Sequence, residues 1–184
     1  MDDLGERAIE TLRSRGVECE PVARDPDHAT GRVLVTLNAA GQASYEFAPD
    51  AAWDHLPWSD SLASLAAGCD AICFGTLGQR SVGSQETIRR LVEAVPRDAL
   101  RVFDVNLRQR FYSRETIESS LRMASALKLN DEELPIVTEF CGVQGGSPRE
   151  LLRALMTRYS LRLVALTRGP VSYTHLTLPT IYSV

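Results

Sequence analysis

Apolar residues change their spacing along the chain, and each change marks an element. Leu4, Ala8 and Leu12 recur every fourth residue, and Gly16 stands where a C-terminal cap belongs, so residues 4–15 are predicted helical. Val33, Val35 and Leu37 then alternate with polar or outward positions. Asn38-Ala39-Ala40-Gly41 offers turn chemistry and Ser44-Tyr45-Glu46-Phe47 alternates again, which predicts a β-hairpin over about 32–48. From residue 59 the pattern becomes strand–helix–strand. Apolar runs at 69–74, 100–103, 126–129 and 161–167 read as four strands. Between them Ile88, Leu91, Val92 and Val95 mark one helix, closed by Pro96. Ile117, Leu121 and Ala124 mark the next, begun by Ser113. Leu134, Val137 and Phe140 mark a third, opened by Asn130. Ser147-Pro148-Arg149-Glu150 reads as a capping box ahead of Leu151, Leu152 and Leu155.

That alternation predicts right-handed crossovers, a parallel sheet and helices on both of its faces: an α/β fold with the hairpin as an appendage, a lid. Such sheets bind ligands beyond the carboxyl ends of their strands. The residues there are Gly75-Thr76-Leu77-Gly78-Gln79-Arg80, Asp104-Val105-Asn106-Leu107-Arg108, Asn130-Asp131-Glu132-Glu133 and Arg168-Gly169, with Lys128 inside the third strand. Lys128, Arg108 and Arg168 suit anionic phosphates; Asp104 and Glu133 suit a cation or a sugar hydroxyl. Each has a plainer reading. Asn130-x-x-Glu133 has the spacing of a helix capping box, Asp104-x-Asn106-x-Arg108 that of a solvated loop, and Gly75-x-x-Gly78 that of a turn.

Composition narrows the chemistry. The net charge of −4 argues against a nucleic-acid surface, and no apolar run reaches the roughly 18–20 residues of a membrane span. The start Met1-Asp2-Asp3 is acidic and has no apolar h-region, so no signal peptide is expected. Cys19, Cys69, Cys73 and Cys141 form no C-x-x-C pair and lie far in sequence from the three histidines. They are expected to be reduced thiols in a cytoplasmic protein, with no zinc-type clustering. Of the 20 basic residues only Lys128 is lysine, which singles it out. Neither G-x-x-x-x-G-K-[ST], nor G-x-G-x-x-G after a strand, nor G-x-S-x-G occurs.

In order along residues 1–169, Asp3-Leu4-Gly5, Gly16-Val17, Ala29-Thr30-Gly31, Tyr45-Glu46-Phe47, Ala51-Ala52-Trp53-Asp54, Phe74-Gly75-Thr76-Leu77, Asp104-Val105-Asn106-Leu107-Arg108, Lys128-Leu129-Asn130-Asp131-Glu132-Glu133 and Leu166-Thr167-Arg168-Gly169 resemble the PfkB, ribokinase-like carbohydrate kinases, and among them the fructokinase-like branch. The resemblance implies a three-layer αβα, Rossmann-like parallel sheet with a small β lid, incomplete at both ends. It implies phosphate transfer from ATP, with Mg²⁺, to a sugar hydroxyl. Asn106 and Arg108, with Asp104, would line the sugar and phosphoryl region. Lys128, Asn130, Glu133, Thr167 and Gly169 would face the nucleotide and its phosphates, Asn130 and Glu133 holding Mg²⁺ indirectly. The resemblance also implies small-molecule partners and a possible homodimer through the lid. The family's later Gly-x-Gly-Asp motif, source of its general base, does not occur in these residues, so no catalytic base is assigned and the fragment itself is expected to be inactive. Residues 1–170 are expected to form a partial kinase domain. Residues 171–184 resemble a translated sequencing adaptor and are expected to be non-native. A kinase for a nucleoside or a sugar acid, or a non-catalytic sugar- or nucleotide-binding protein, are the alternatives.

Overall fold

The computed structural model describes residues 2–38, 41, 43–168 and the backbone of 172–177. Helix α1 (Asp3–Ser14) is capped by Asp2, whose Oδ1 accepts from the Gly5 amide at 3.0 Å while Oδ2 accepts from the Thr30 amide at 2.9 Å. One carboxylate therefore starts the helix and fixes the approach to the hairpin. These bonds, the Thr30 side chain first among them, hold Asp2 at a pKa of about 2. The hairpin follows as predicted: β1 (Val33–Leu37) and β2 (Ala43–Phe47) pair antiparallel as a separate two-stranded sheet.

After α2 (Asp60–Ala67), four strands lie parallel in chain order: β3 (Ala71–Gly75), β4 (Leu100–Asp104), β5 (Ala126–Asn130) and β6 (Leu163–Arg168). Helices α3 (Val82–Ala94), α4 (Arg114–Met123), α5 (Glu133–Phe140) and α6 (Pro148–Tyr159) connect them. Segment β7 (Ser172–Thr177) runs antiparallel to β6 and forms the other edge of the sheet. The expected lone helix over 130–140 begins at Glu133, because Asn130 ends the strand and caps from three residues ahead, its Oδ1 accepting the Glu133 amide at 2.8 Å. At the Ser147 cap the predicted reciprocal bond shifts by one residue: Glu150 reaches the Gly146 amide, at 2.7 Å.

The strands step always in one direction, so right-handed crossovers deliver every connecting helix to one face. That face holds the core. Phe74, Phe103, Leu127, Leu129, Val164 and Leu166 of the sheet meet Val92, Ile117, Leu121, Leu134, Val137, Leu152, Leu155 and Met156 of the helices in one cluster. Each fully buried Leu or Phe there stabilises by about 1.5–3 kcal/mol. The other face is partly open: Ala71 and Cys73 are exposed, and Asp104 and Lys128 stand beside them. Helices α3 to α6 form the layer that packs on the core face of the sheet. The hairpin is barer still, with Leu34 60%, Val35 51%, Leu37 70% and Tyr45 54% exposed.

Candidate functional site

The register of the sheet assembles the predicted residues at its carboxyl edge. Asp104 is the β4 partner of Lys128 on β5, and Asn130 is the partner of Thr167 on β6. Lys128 Nζ lies 3.0 Å from Asp104 Oδ1, with both side chains about one-third exposed (36% and 34%). An ammonium in that setting is paired yet open to solvent and to an incoming anion. Cys73 sits across from the pair. Exclusion of water by its neighbours raises its thiol pKa, the Asp104 charge adds to the rise, and Lys128 opposes it. Arg168, beyond Thr167, is exposed, and Gly169 lies outside the described residues.

The loop after β4 is stitched on three sides. The Val105 amide donates to the Lys128 carbonyl at 3.0 Å. The Leu107 amide donates to Glu133 Oε1 at 2.9 Å. Buried Thr76 sends its hydroxyl to the Val105 carbonyl at 2.9 Å and to the Asn106 carbonyl at 3.3 Å. Asn106 and Gln109 both have positive φ, 43° and 48°, a conformation that asparagine tolerates better than most residues. Gln109 Nε2 then donates to the Tyr45 carbonyl of the hairpin at 2.7 Å. Arg108 projects to solvent and donates Nη1 to its neighbour's carbonyl, that of Leu107.

Glu133 is 4% exposed. Its Oε2 accepts the Asn130 amide at 2.9 Å, completing the reciprocal box with the Asn130 cap. With Oε1 on Leu107, both oxygens are taken by backbone donors. Among the described residues no hydrogen bond or ion pair links Lys128 to Asn130 or Glu133. The structure thus brings Asp104 and Lys128 into contact, and makes Glu133 and Asn130 the brace that joins the Asn106 loop to α5. Thr167 closes the strand ends from the far side, its carbonyl accepting the Asp131 amide at 3.1 Å. A 610 Å³ groove, with Asp131, Thr138, Glu139 and Arg168 among its walls, opens beside it.

A second group, not singled out from sequence, ties the lid to this edge. Arg80, from the turn after β3, donates Nε to Asp54 Oδ1 at 2.6 Å and Nη2 to Asp54 Oδ2 at 2.5 Å. Nη2 also reaches the Ala48 carbonyl, at 2.6 Å, just past β2. The guanidinium lies 4.7 Å from the Phe111 ring and 5.3 Å from the Trp53 ring, and Phe111 meets Phe47 edge-on. The Arg80 hydrogen bonds lower the Asp54 pKa, against its desolvation. Partners 26 and 32 residues apart leave no periodic trace; the only signal was an arginine in a glycine-rich turn and a Trp-Asp pair after the hairpin.

Known proteins carry the same architecture. The profile described as pfkB family carbohydrate kinase matches residues 1–172. A fructokinase from Rhizobium leguminosarum bv. trifolii is 25% identical over 173 residues, covering 91% of this chain and 51% of its own length; one from Salmonella typhimurium is 24% identical over 174, covering 91% and 55%. The chain therefore spans about half the length of these relatives. The crystal structure of a fructokinase from Xylella fastidiosa superposes with a TM-score of 0.80 at 19% identity, over 96% of this chain and 57% of that one. An uncharacterized sugar kinase from Pyrococcus horikoshii in complex with ATP gives 0.73 at 25% identity, over 100% and 59%. With a family match that spans nearly all of its residues, the chain belongs to the pfkB family of carbohydrate kinases.

Proposed function

We propose that the chain is the lid and phosphate-facing part of an ATP-dependent sugar kinase that transfers phosphate to a sugar hydroxyl, as its fructokinase relatives' names indicate. The observation that carries this reading is the chain's one lysine, Lys128, paired with Asp104 at the carboxyl edge of a family-matched sheet. Phosphoryl transfer needs positioned positive charge more than covalent chemistry. Lys128 supplies that charge, and Arg108 stands exposed on the neighbouring loop. Asn106 and Asp104 face the sugar and phosphoryl region. Thr167 and Gly169 approach the nucleotide.

Magnesium fits this edge only at one remove. Glu133 has both oxygens on backbone amides and Asn130 has its amide oxygen on Glu133, so they brace the loop and act on Mg²⁺ indirectly. These residues contain no Gly-x-Gly-Asp segment, so this chain is proposed to bind and orient rather than to deprotonate the sugar hydroxyl. Residues 171–184 are proposed to be foreign to the kinase. The bare lid, with Leu34, Val35 and Leu37 exposed, suits contact with a second copy. No described helix is long and apolar enough to cross a membrane, and four free thiols suit the cytoplasm.

The test is thermal denaturation of the chain with ATP and Mg²⁺. A ligand that binds only the folded form raises the melting temperature. ATP should protect the wild type, and Lys128→Met should abolish the protection without lowering the ligand-free melting temperature by more than a few degrees. Equal protection of both proteins would remove Lys128 from the site. A fold that ATP never protects would sink the nucleotide reading.

A further inference from the structure

The sequence placed the histidines far from the cysteines and predicted no metal clustering. The fold instead gathers two of them with a carboxylate. His28, Asp50 and His55 present ligand atoms that all lie within 4.8 Å of one another. His55 Nε2 is 2.7 Å from Asp50 Oδ1, and His28 Nε2 is 4.0 Å from the same oxygen. The two imidazoles stack, centroids 3.5 Å apart and planes within 8°.

We infer that His28, Asp50 and His55 form a binding site for a divalent transition-metal ion of the zinc class at the feet of the lid. Two imidazole nitrogens and one carboxylate oxygen are a donor set that zinc, nickel or copper takes and that magnesium or calcium does not favour. Asp25 completes the arrangement. Its Oδ2 lies 2.8 Å from His28 Nδ1, while its Oδ1 accepts the amides of Asp27 and His28 at 2.8 and 2.9 Å. A ring nitrogen bonded to an anchored carboxylate leaves Nε2 as the free donor and fixes where it points, as partners behind metal-bound histidines do. Asp50 has a positive φ, 48°, and its carboxylate reaches both rings' Nε2 side. The side chains of His28, His55 and Asp50 are 27%, 38% and 74% exposed, so an ion can enter and a water can fill a fourth position.

Position gives the site its consequence. His28 lies five residues before β1 and Asp50 three after β2, so the cluster spans the segments that enter and leave the hairpin. Ligands about 2 Å from a tetrahedral ion sit roughly 3–3.5 Å from each other. The 4.0 Å gap between His28 and Asp50 must therefore close somewhat, and the stacked rings must turn apart, because an ion lies in the plane of each imidazole it binds. Capture of the ion draws the two feet together and stiffens the lid. The inference does not depend on the kinase reading.

The test uses the whole chain, free of any histidine tag and stripped with chelator. Zn²⁺ titrated by calorimetry should bind one per chain and raise the melting temperature, whereas Mg²⁺ should do neither. Co²⁺ should give visible bands of a nitrogen–oxygen site without the near-ultraviolet band of thiolate ligation. His28→Ala and His55→Ala should each abolish stoichiometric binding. Asp25→Asn should weaken it about 10–100-fold while leaving the ligand set intact. Unfolding curves in chelator, unchanged among the variants, establish that they fold. Absence of stoichiometric zinc binding by the wild type overturns the inference, as does a thiolate Co²⁺ spectrum or binding that survives both histidine substitutions.

Discussion

Arg80→Met is the substitution that most directly measures how the lid is held. It removes a bidentate pair whose side chains are only 7% and 8% exposed, along with the bond to the Ala48 carbonyl and the contacts over Phe111 and Trp53. Methionine fills much of the volume, so the loss is electrostatic. Among the described residues Asp54 then keeps one hydrogen-bond donor to its carboxylate, the Ala51 amide at 3.0 Å, and is otherwise a stranded charge. Breaking a buried pair from one side costs about 3–5 kcal/mol. Against a total of about 5–15 kcal/mol that is a large fraction. At about 2–4 °C per kcal/mol for a chain of this size, the melting temperature should fall by about 6–20 °C. Urea unfolding followed by Trp53 emission in a Trp58→Phe background reads it. Removing Asp54 as well, in Arg80→Met/Asp54→Leu, should destabilise less than Arg80→Met alone, because no unpaired charge remains. The sign with pH is fixed. Asp54 has a lowered pKa in the fold, so its contribution is present above the ordinary carboxylate value near 3.9 and is lost as pH falls below it. The gap between wild type and Arg80→Met should therefore narrow in acid. A loss under about 1 kcal/mol at neutral pH, the value of a solvated surface pair, would refute the reasoning.

Three further outcomes follow from the site. Glu133→Gln exchanges one of the two carboxylate oxygens that accept backbone amides for a donor; it should cost about 1–3 kcal/mol and speed hydrogen exchange at Leu107 and Asn130 more than at core amides such as Leu129. Thr76→Val keeps the shape but loses the hydroxyl that serves the Val105 and Asn106 carbonyls, and should lower stability by about 1–3 kcal/mol in urea titration. Gly31→Ala would place a methyl group 2.3 Å from the Trp53 ring, so the ring must move; a shifted emission maximum and a loss of about 1–3 kcal/mol are expected, and an unchanged spectrum would contradict the packing.

The strand–helix order was legible because local chemistry carries it. Ser113 and Ser147 cap α4 and α6 as read, accepting the Thr116 and Glu150 amides. The strand read at 69–74 shifts to Ala71–Gly75, because Cys69 still belongs to the end of α2, its amide on the Ala66 carbonyl. The hairpin's alternation was legible, but not its exposure: a period of two shows that faces differ, not that anything covers them. Lys128 stood out by residue type, and its partner Asp104 emerged only from the β4–β5 register. The Arg80–Asp54 pair and the His28–Asp50–His55 group were hidden for the same reason. Their members come from turns and loops, where no periodicity places side chains, and meet only after the sheet and lid are docked.

Residues 105–111 touch a different neighbour at nearly every second position: Lys128 at Val105, Glu133 at Leu107, the Tyr45 carbonyl at Gln109, and Phe47 at Phe111. A segment pinned so often has no slack, so its length is a fixed dimension of the protein. Sequence drift can replace the exposed Arg110, but an inserted residue would shift every later anchor out of step. A change that repositions the hairpin must pull on the strand end that carries Asp104, and the lid and the charged edge are inherited as one part.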